Sequence, residues 1–203
     1  MQSSRMPKAS IVNTSEAYQQ MLAHLAEQDT IAIDTESNSL YAYYHQVCLI
    51  QISVPGADYV VDPLTVDVKP LGALFADPAC EKIFHAAEND ILGLKRDHQF
   101  TFVNLFDTML AARIMGWAQA GLAGILAEKF GVTLDKSLQR ANWGHRPLEP
   151  DLLAYAKLDT HYLLPLRSLQ EKALKECGRW EEAQEAFERI STVEWVDKPF
   201  DPN

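Results

Sequence analysis

Five side chains stand out for the chemistry they could do together. Asp34 and Glu36 flank Thr35 in the tripeptide DTE, at the end of the β-branched run TIAID. Residues two apart on a strand project to the same face, so both carboxylates can meet at one point beyond the sheet edge. Like charges that close resist joint ionisation unless a cation lies between them. The alternative is a strand end whose acids are simply solvated. Asp90, in HAAENDILGL, falls in the first turn of a helix, where the dipole favours a carboxylate whatever its role. Tyr155 and Asp159, in YAKLD, are four apart on a helical stretch and share one face. A packed tyrosine beside a solvated acid would satisfy the same pattern, although Ala154, Leu158 and Leu163 could supply the packing without the ring. Each pattern alone has a structural explanation. As a set they could bring carboxylates from distant parts of the chain to one point, with a phenol beside them, where a cation would let them ionise together.

Such a gathering needs a scaffold, and the chain reads as one. Thr14 or Ser15 can cap a first helix to about residue 26, with Ala17, Met21, Leu22 and Leu25 at helical spacing. Strands follow over 30–34, 47–54 and 58–62, the last two joined by the tight-turn pair Pro55-Gly56 as an antiparallel hairpin. A fourth strand over 81–86 leads into a helix over 88–97. A fifth over 101–106 ends at Asp107, well placed to cap a helix to residue 115. Beyond lie helices over 122–130, from Pro150 past Lys172, and over 180–190. Pro150 suits a first turn, and Pro165 kinks or divides its helix. The tail after Val196 is Pro-rich and reads as frayed. The expectation is an α/β domain: a mixed five-stranded sheet flanked by helices, one domain over residues 1–203.

The bulk numbers narrow the function classes. A content of 47% hydrophobic and 23% charged residues argues against global disorder. No apolar run approaches the roughly 20 residues of a membrane helix, and no secretory leader is evident behind the N-terminal basic residues. The three cysteines lack metal-ligand or disulfide spacing, which points to a reducing cytoplasmic setting. With 28 acidic against 18 basic residues and a net charge of −10, there is no broad basic face for duplex nucleic acid. Acids concentrated around bound cations ease that conflict, because the local field then belongs to the ions.

The order DTE, then a strand-to-helix Asp, then Tyr-x-x-x-Asp late in a helix resembles the DEDD exonuclease superfamily, in its tyrosine-bearing branch. The other branch carries a His five residues before the last Asp; here that position is Ala154. His161, two residues after Asp159, is out of place for that role and reads as structural. YYHQVCLIQIS, IFHAAENDI, NLFDTMLAARIMG and KSLQRANWGHRPL extend the resemblance to RNase D and its relatives in the nuclear exosome, over about residues 30–172.

The resemblance implies an RNase H-like fold and a 3′→5′ exoribonuclease acting on single-stranded RNA ends, with two Mg²⁺ ions that Mn²⁺ can replace. In it Asp34 bridges both ions, Glu36 and Asp159 complete the nucleophile side, Asp90 holds the second ion through water, and Tyr155 orients the attacking water. With an ordinary pKa near 10, that phenol orients rather than acts as a base. Substrate contacts are expected at Asn38, Leu40, His85, Gln139 and Arg146, with His85 equally compatible with packing and Trp143 read as a packed anchor. Lys95, Arg96, Lys136 and Arg140 read as solvated surface. The rival readings are a DNA-trimming relative and an inactive nucleic-acid-binding protein. RNase D chains carry helical HRDC modules after the catalytic domain, and none is expected here; the protein is expected to act as a monomer.

Overall fold

The computed structural model describes residues 9–135 and 137–196. Six strands form one mixed sheet in the order β1-β4-β3-β2-β5-β6. β1 (Ser10–Val12) runs parallel to β4 (Ala57–Val61), and β4 is antiparallel to β3 (Val47–Val54). β2 (Thr30–Ser37) lies antiparallel to β3 on one side and parallel to β5 (Glu81–Phe84) on the other; β6 (Leu105–Asp107) runs parallel to β5. The expected hairpin forms around Pro55-Gly56, where Gly56 adopts φ 83°, a conformation that costs glycine nothing.

The sheet has six strands rather than five. β1 is three residues long, too short to show an alternating pattern. The fifth expected strand is shorter than the run 101–106, because Asn104 sits at φ 51° and breaks the extended backbone before Leu105. A five-residue helix, α2 (Leu71–Phe75), also lay below the length at which periodicity is legible.

The other helices are α1 (Ser15–Leu25), α3 (Glu88–His98), α4 (Thr108–Ile114), α5 (Leu122–Phe130), α6 (Pro150–Ala156), α7 (Leu158–His161), α8 (Leu163–Glu176) and α9 (Trp180–Ser191). Thr14 caps α1 through its hydroxyl, as its position suggests. The long helix expected after Pro150 is three pieces. The second division falls at Tyr162, just before Pro165, whose ring would meet the carbonyl of His161 four residues earlier in a continuous helix.

The pleat sorts β2 between two apolar layers. Ile31 and Ile33 face the core shared with α1 and α3, among Met21, Leu25, Ile91 and Leu94. Ala32 faces the opposite layer, with Leu163, Leu166 and Phe187 from α8 and α9. Burying a Leu or Ile side chain contributes about 1.5–3 kcal/mol, so both faces hold the strand firmly.

Asp107 ties this scaffold together and is fully buried. Its Oδ1 accepts the backbone N–H of Met109 (2.8 Å) and Leu110 (2.9 Å), capping α4. It also accepts Ala86 N–H (3.2 Å), and Oδ2 accepts Ala87 N–H (2.8 Å). Ala86 is held at φ 62°, a strained conformation for alanine, in the turn that launches α3. One carboxylate thus caps one helix and fixes the entry to another. Asp107→Ala removes the cap and strands two further N–H groups, so a loss of about 3 kcal/mol or more is expected in urea unfolding.

Candidate metal centre

Asp34 and Glu36 lie on the face of β2 that Ala32 also occupies, so the pleat that buries Ala32 brings both carboxylates up under α7. Asp159 enters from that one-turn helix. One ligand oxygen from each of Asp34, Glu36 and Asp159 lies within 4.8 Å of the other two.

Thr35, between the two acids, faces the opposite way, toward α3. Its backbone N–H (3.0 Å) and its hydroxyl (2.5 Å) both donate to Oδ1 of Asp90. That pair of bonds draws Asp90, itself nearly buried at 8% exposure, into the wall of the same cleft. The cleft, of about 460 Å³, holds Asp34, Glu36, Asp90, Tyr155 and Asp159 together with His85 and Gln139. Five residues spread over 126 positions of sequence therefore share one concavity.

α7 is too short to hold itself, and a buried polar network secures it. The Ser53 hydroxyl donates to Asp58 Oδ1 (2.7 Å), which leaves Thr160 to donate to Ser53 (2.7 Å). His161 Nδ1 meets Asp58 Oδ2 at 2.9 Å. His161 is thus structural, as its spacing suggested.

The electrostatics follow from crowding acids in a desolvated place. Burial, reinforced by Asp90, Asp159 and Glu36, pushes Asp34 well above the usual carboxylate range. Burial and then Asp159 raise Glu36 to about 9. Burial raises Asp90 to about 7 against the opposing bonds from Thr35, and burial with Asp90 raises Asp159 to about 7. A divalent cation reverses that balance by favouring the charged forms. The donors are all oxygen, which suits Mg²⁺ or Mn²⁺ and not a thiolate-seeking metal.

Gln51, which the sequence reading passed over, points to the same fit. It pairs directly opposite Asp34 on the neighbouring strand and is fully buried. Neither atom of its amide has a hydrogen-bond partner among the described residues. Buried amides are rarely left so, and a hydrated cation beside Asp34 would offer one. The signal was present: Gln51 is the one amide in the largely apolar strand VCLIQISV.

Tyr155 is packed and also faces the cleft. Its ring lies 6.0 Å from that of Trp143, which at 1% exposure is the anchor it was read to be. Burial first, then Asp159 and Glu36, raise the phenol above its ordinary value, while a hydrogen bond from the Gln139 side chain opposes the shift. His85 lines the cleft, meets Thr108 Oγ1 at 2.8 Å and is pushed down to about 4 by burial, so its ring is neutral at pH 7.

Three expected substrate contacts lie elsewhere. Arg146 does not line the cleft; its guanidinium is committed internally. Nε and Nη2 grip Asp62 at 2.7 and 2.8 Å, Nη1 donates to the carbonyls of Trp143 and His145, and Nη2 also donates to that of Cys48. Asn38 closes the loop after β2 by accepting Gln46 N–H at 2.8 Å, and Leu40 is 63% exposed beyond the cleft. Lys95 and Arg96 pair with Glu194 and Asp97. Lys136 and the tail after Val196 lie outside the described residues.

Residues 9–175 match the family model described as 3'-5' exonuclease. The exosome complex exonuclease RRP6 of Saccharomyces cerevisiae is 39% identical over 170 residues, 83% of this chain and 23% of that protein. The catalytic core of RRP6 from Trypanosoma brucei superposes with a TM-score of 0.89 at 29% identity, over 100% of this chain and 56% of that one. Escherichia coli RNase D, described as an exoribonuclease involved in structured RNA processing, gives 0.82 at 30% identity, over 92% and 52%. The chain spans about a fifth of the length of the curated relatives it matches.

The reassignment of Arg146 is testable. Asp62 is 6% exposed and Arg146 26%, so Arg146→Ala leaves a nearly buried carboxylate and three carbonyls without their guanidinium donor. Allowing for the partial exposure of the arginine, a loss of about 2–3 kcal/mol in denaturant unfolding is expected.

Proposed function

The chain belongs to the 3'-5' exonuclease family, and from that premise we propose that it removes nucleoside 5′-monophosphates from the 3′ ends of single-stranded RNA. The observation that carries the reading is the convergence of Asp34, Glu36 and Asp159 within 4.8 Å, with Asp90 drawn in beside them by Thr35. The RNase H-like sheet that holds them is the fold of the relatives, and the description of E. coli RNase D as an exoribonuclease supports RNA over DNA. The yeast relative is by its name part of an exosome complex, which makes a protein partner as compatible with this reading as a monomer.

Asp34, Glu36, Asp90 and Asp159 would hold two divalent cations, Mg²⁺ by preference with Mn²⁺ able to substitute. Bound there, they supply charge neutralisation at the phosphoryl oxygens and a more acidic water. The protein's own part is placement. Thr35 spends two donors on Oδ1 of Asp90, which leaves Oδ2 for the cleft. Tyr155 keeps its proton at neutral pH, since burial and the neighbouring acids raise its pKa. It can therefore orient an attacking water by hydrogen bond but cannot take that water's proton. Gln139 fixes the phenol, and the Asp58–Ser53–Thr160–His161 network fixes the helix that carries Asp159. The two walls of the cleft are held independently of the acids themselves.

Two experiments test this reading. Asp34→Asn and Asp159→Asn should each lower Mg²⁺-dependent hydrolysis roughly a thousandfold or more with an unchanged circular dichroism spectrum; turnover retained in either purified variant refutes the assignment. With 5′-labelled RNA the wild type should give a ladder shortening from the 3′ end, and EDTA should abolish it. A DNA oligomer of the same sequence should be degraded more slowly, and faster turnover of DNA would overturn the substrate class.

A further inference from the structure

The loop joining β2 to β3, residues 38–46, begins two residues after Glu36 and carries an unusual surface. Nine large hydrophobic side chains are exposed among the described residues, and four of them, Leu40, Tyr41, Tyr43 and Tyr44, fall within five consecutive positions. Tyr43 and Tyr44 are 74% and 88% exposed. Exposed apolar side chains scattered singly need no explanation; a cluster marks a surface that is covered by something.

The loop is not slack chain. Asn38 pins its base, accepting Gln46 N–H on its side chain (2.8 Å) and donating its own N–H to Gln46 O (3.3 Å). Tyr41 and Ala42 both donate N–H groups to Asn38 O, and the Tyr41 hydroxyl reaches across to Arg140 O at 2.6 Å. Tyr41 is thereby used as a strut, and the rings beyond it are held out to solvent. Tyr43 and Tyr44 meet edge to face, with centroids 4.9 Å apart and planes at 88°. The loop's own Ser37 flank, Ser39 and His45 line a cleft of about 370 Å³ whose wall includes Thr35, Glu36, Asn89 and Asp90. Those four residues also line the cleft of the metal centre, so the two concavities share a wall, and the loop that carries the tyrosines forms part of the second one's rim through Ser39 and His45.

What would cover such a rim follows from charge. The chain carries 28 acidic and 18 basic residues; among the described residues Arg96 is the one Lys or Arg that lines either cleft, and it is engaged with Asp97. A strand entering the centre finds few free cations for its phosphates, so its bases must supply much of the grip. Aromatic rings stack on any unpaired base, whatever its sequence. Resting on the nuclease reading above, we propose that Tyr43 and Tyr44 are a stacking platform for unpaired bases of the strand whose end lies in the metal centre. A duplex keeps its base faces inside the helix and cannot use the platform. The loop therefore selects single strands by a means that does not need a basic surface.

The test uses the full chain with Tyr43 and Tyr44 both changed to Ala, and separately both to Phe. For a single-stranded RNA of 12 nucleotides, the Ala variant should raise KM roughly tenfold or more, with kcat within about twofold. Its KM should depend on salt with the same shallow slope as the wild type, because no phosphate contact is lost. The Phe variant should keep KM within about twofold. Unchanged KM in the Ala variant overturns the proposal, as does an equal rise in the Phe variant or an equal effect on a blunt duplex. Binding measured by fluorescence anisotropy in the Asp159→Asn background separates this from the nuclease reading. If the wild type hydrolyses nothing, the nuclease reading fails, and a tenfold weaker Kd on Tyr-to-Ala change still supports the platform. If the wild type hydrolyses RNA and that Kd is unmoved, the platform alone fails.

Discussion

Four carboxylates sharing one poorly solvated cleft repel one another, and that repulsion must be overcome by bonds elsewhere. Asp34, Glu36, Asp90 and Asp159 are all raised above ordinary carboxylate values, with burial the first cause for each. Among the described residues no cation-bearing side chain offsets them: neither Lys nor Arg lines the cleft. The surrounding protein answers with bonds that hold the elements and, at Asp90, with two that meet the carboxylate itself. Asp107 fixes the turn into α3, Thr35 orients Asp90, and Asp58 with Ser53, Thr160 and His161 anchors α7. A fourth link reaches from α8: Gln170 donates to Thr108 O at 2.8 Å, and the Thr108 hydroxyl donates to Phe84 O beside His85. Strain of this kind, localised and supported on all sides, is what a site organised for ligand binding requires.

The sheet topology explains why the acids meet where they do. β2 is the strand at which the sheet changes from antiparallel pairing with β3 to parallel pairing with β5. Its C-terminal end and that of β5 therefore point the same way, so the end of DTE and the start of α3 lie side by side. Ligand sites in open α/β sheets lie beyond the carboxyl ends of strands for the same reason. The pleat then divides the labour within a single tripeptide. Asp34 and Glu36 face α7, and Thr35 faces α3 and captures the fourth acid from behind.

The metal-centre candidates were legible because each sat in a local pattern with a mechanism: two acids at strand spacing, an acid in a first turn, a phenol and an acid four apart. The long strands and most helices were legible from periodicity. The missed elements were short or broken by one residue, as β1, α2 and the truncated β6 show. Arg146 was misread because a basic residue near a candidate site suggests a phosphate, while its partner Asp62 lies 84 positions away and carries no local signal. Gln51 was missed for the opposite reason. Its segment read correctly as a strand, and the cost of burying an amide without a partner becomes visible only once the neighbouring atoms are known.

The acidity of the chain, which argued against a nucleic-acid enzyme at the level of composition, loses its force at the level of the site. A strand end does not meet the net charge of −10; it meets the field within about a Debye length, roughly 10 Å at 0.1 M salt. On the proposed reading the four carboxylates there would be ligands of cations, and a centre holding two divalent ions would be locally neutral or positive toward phosphate. The remaining acids are spread over surface helices, several already paired, as Glu171 is with Arg167 and Lys175. At longer range the net charge still repels polyanions, and this disfavours wide contact with a duplex much more than capture of a single end. Composition thus bounds how the protein can hold a strand, by its end and by its bases, without deciding whether it holds one.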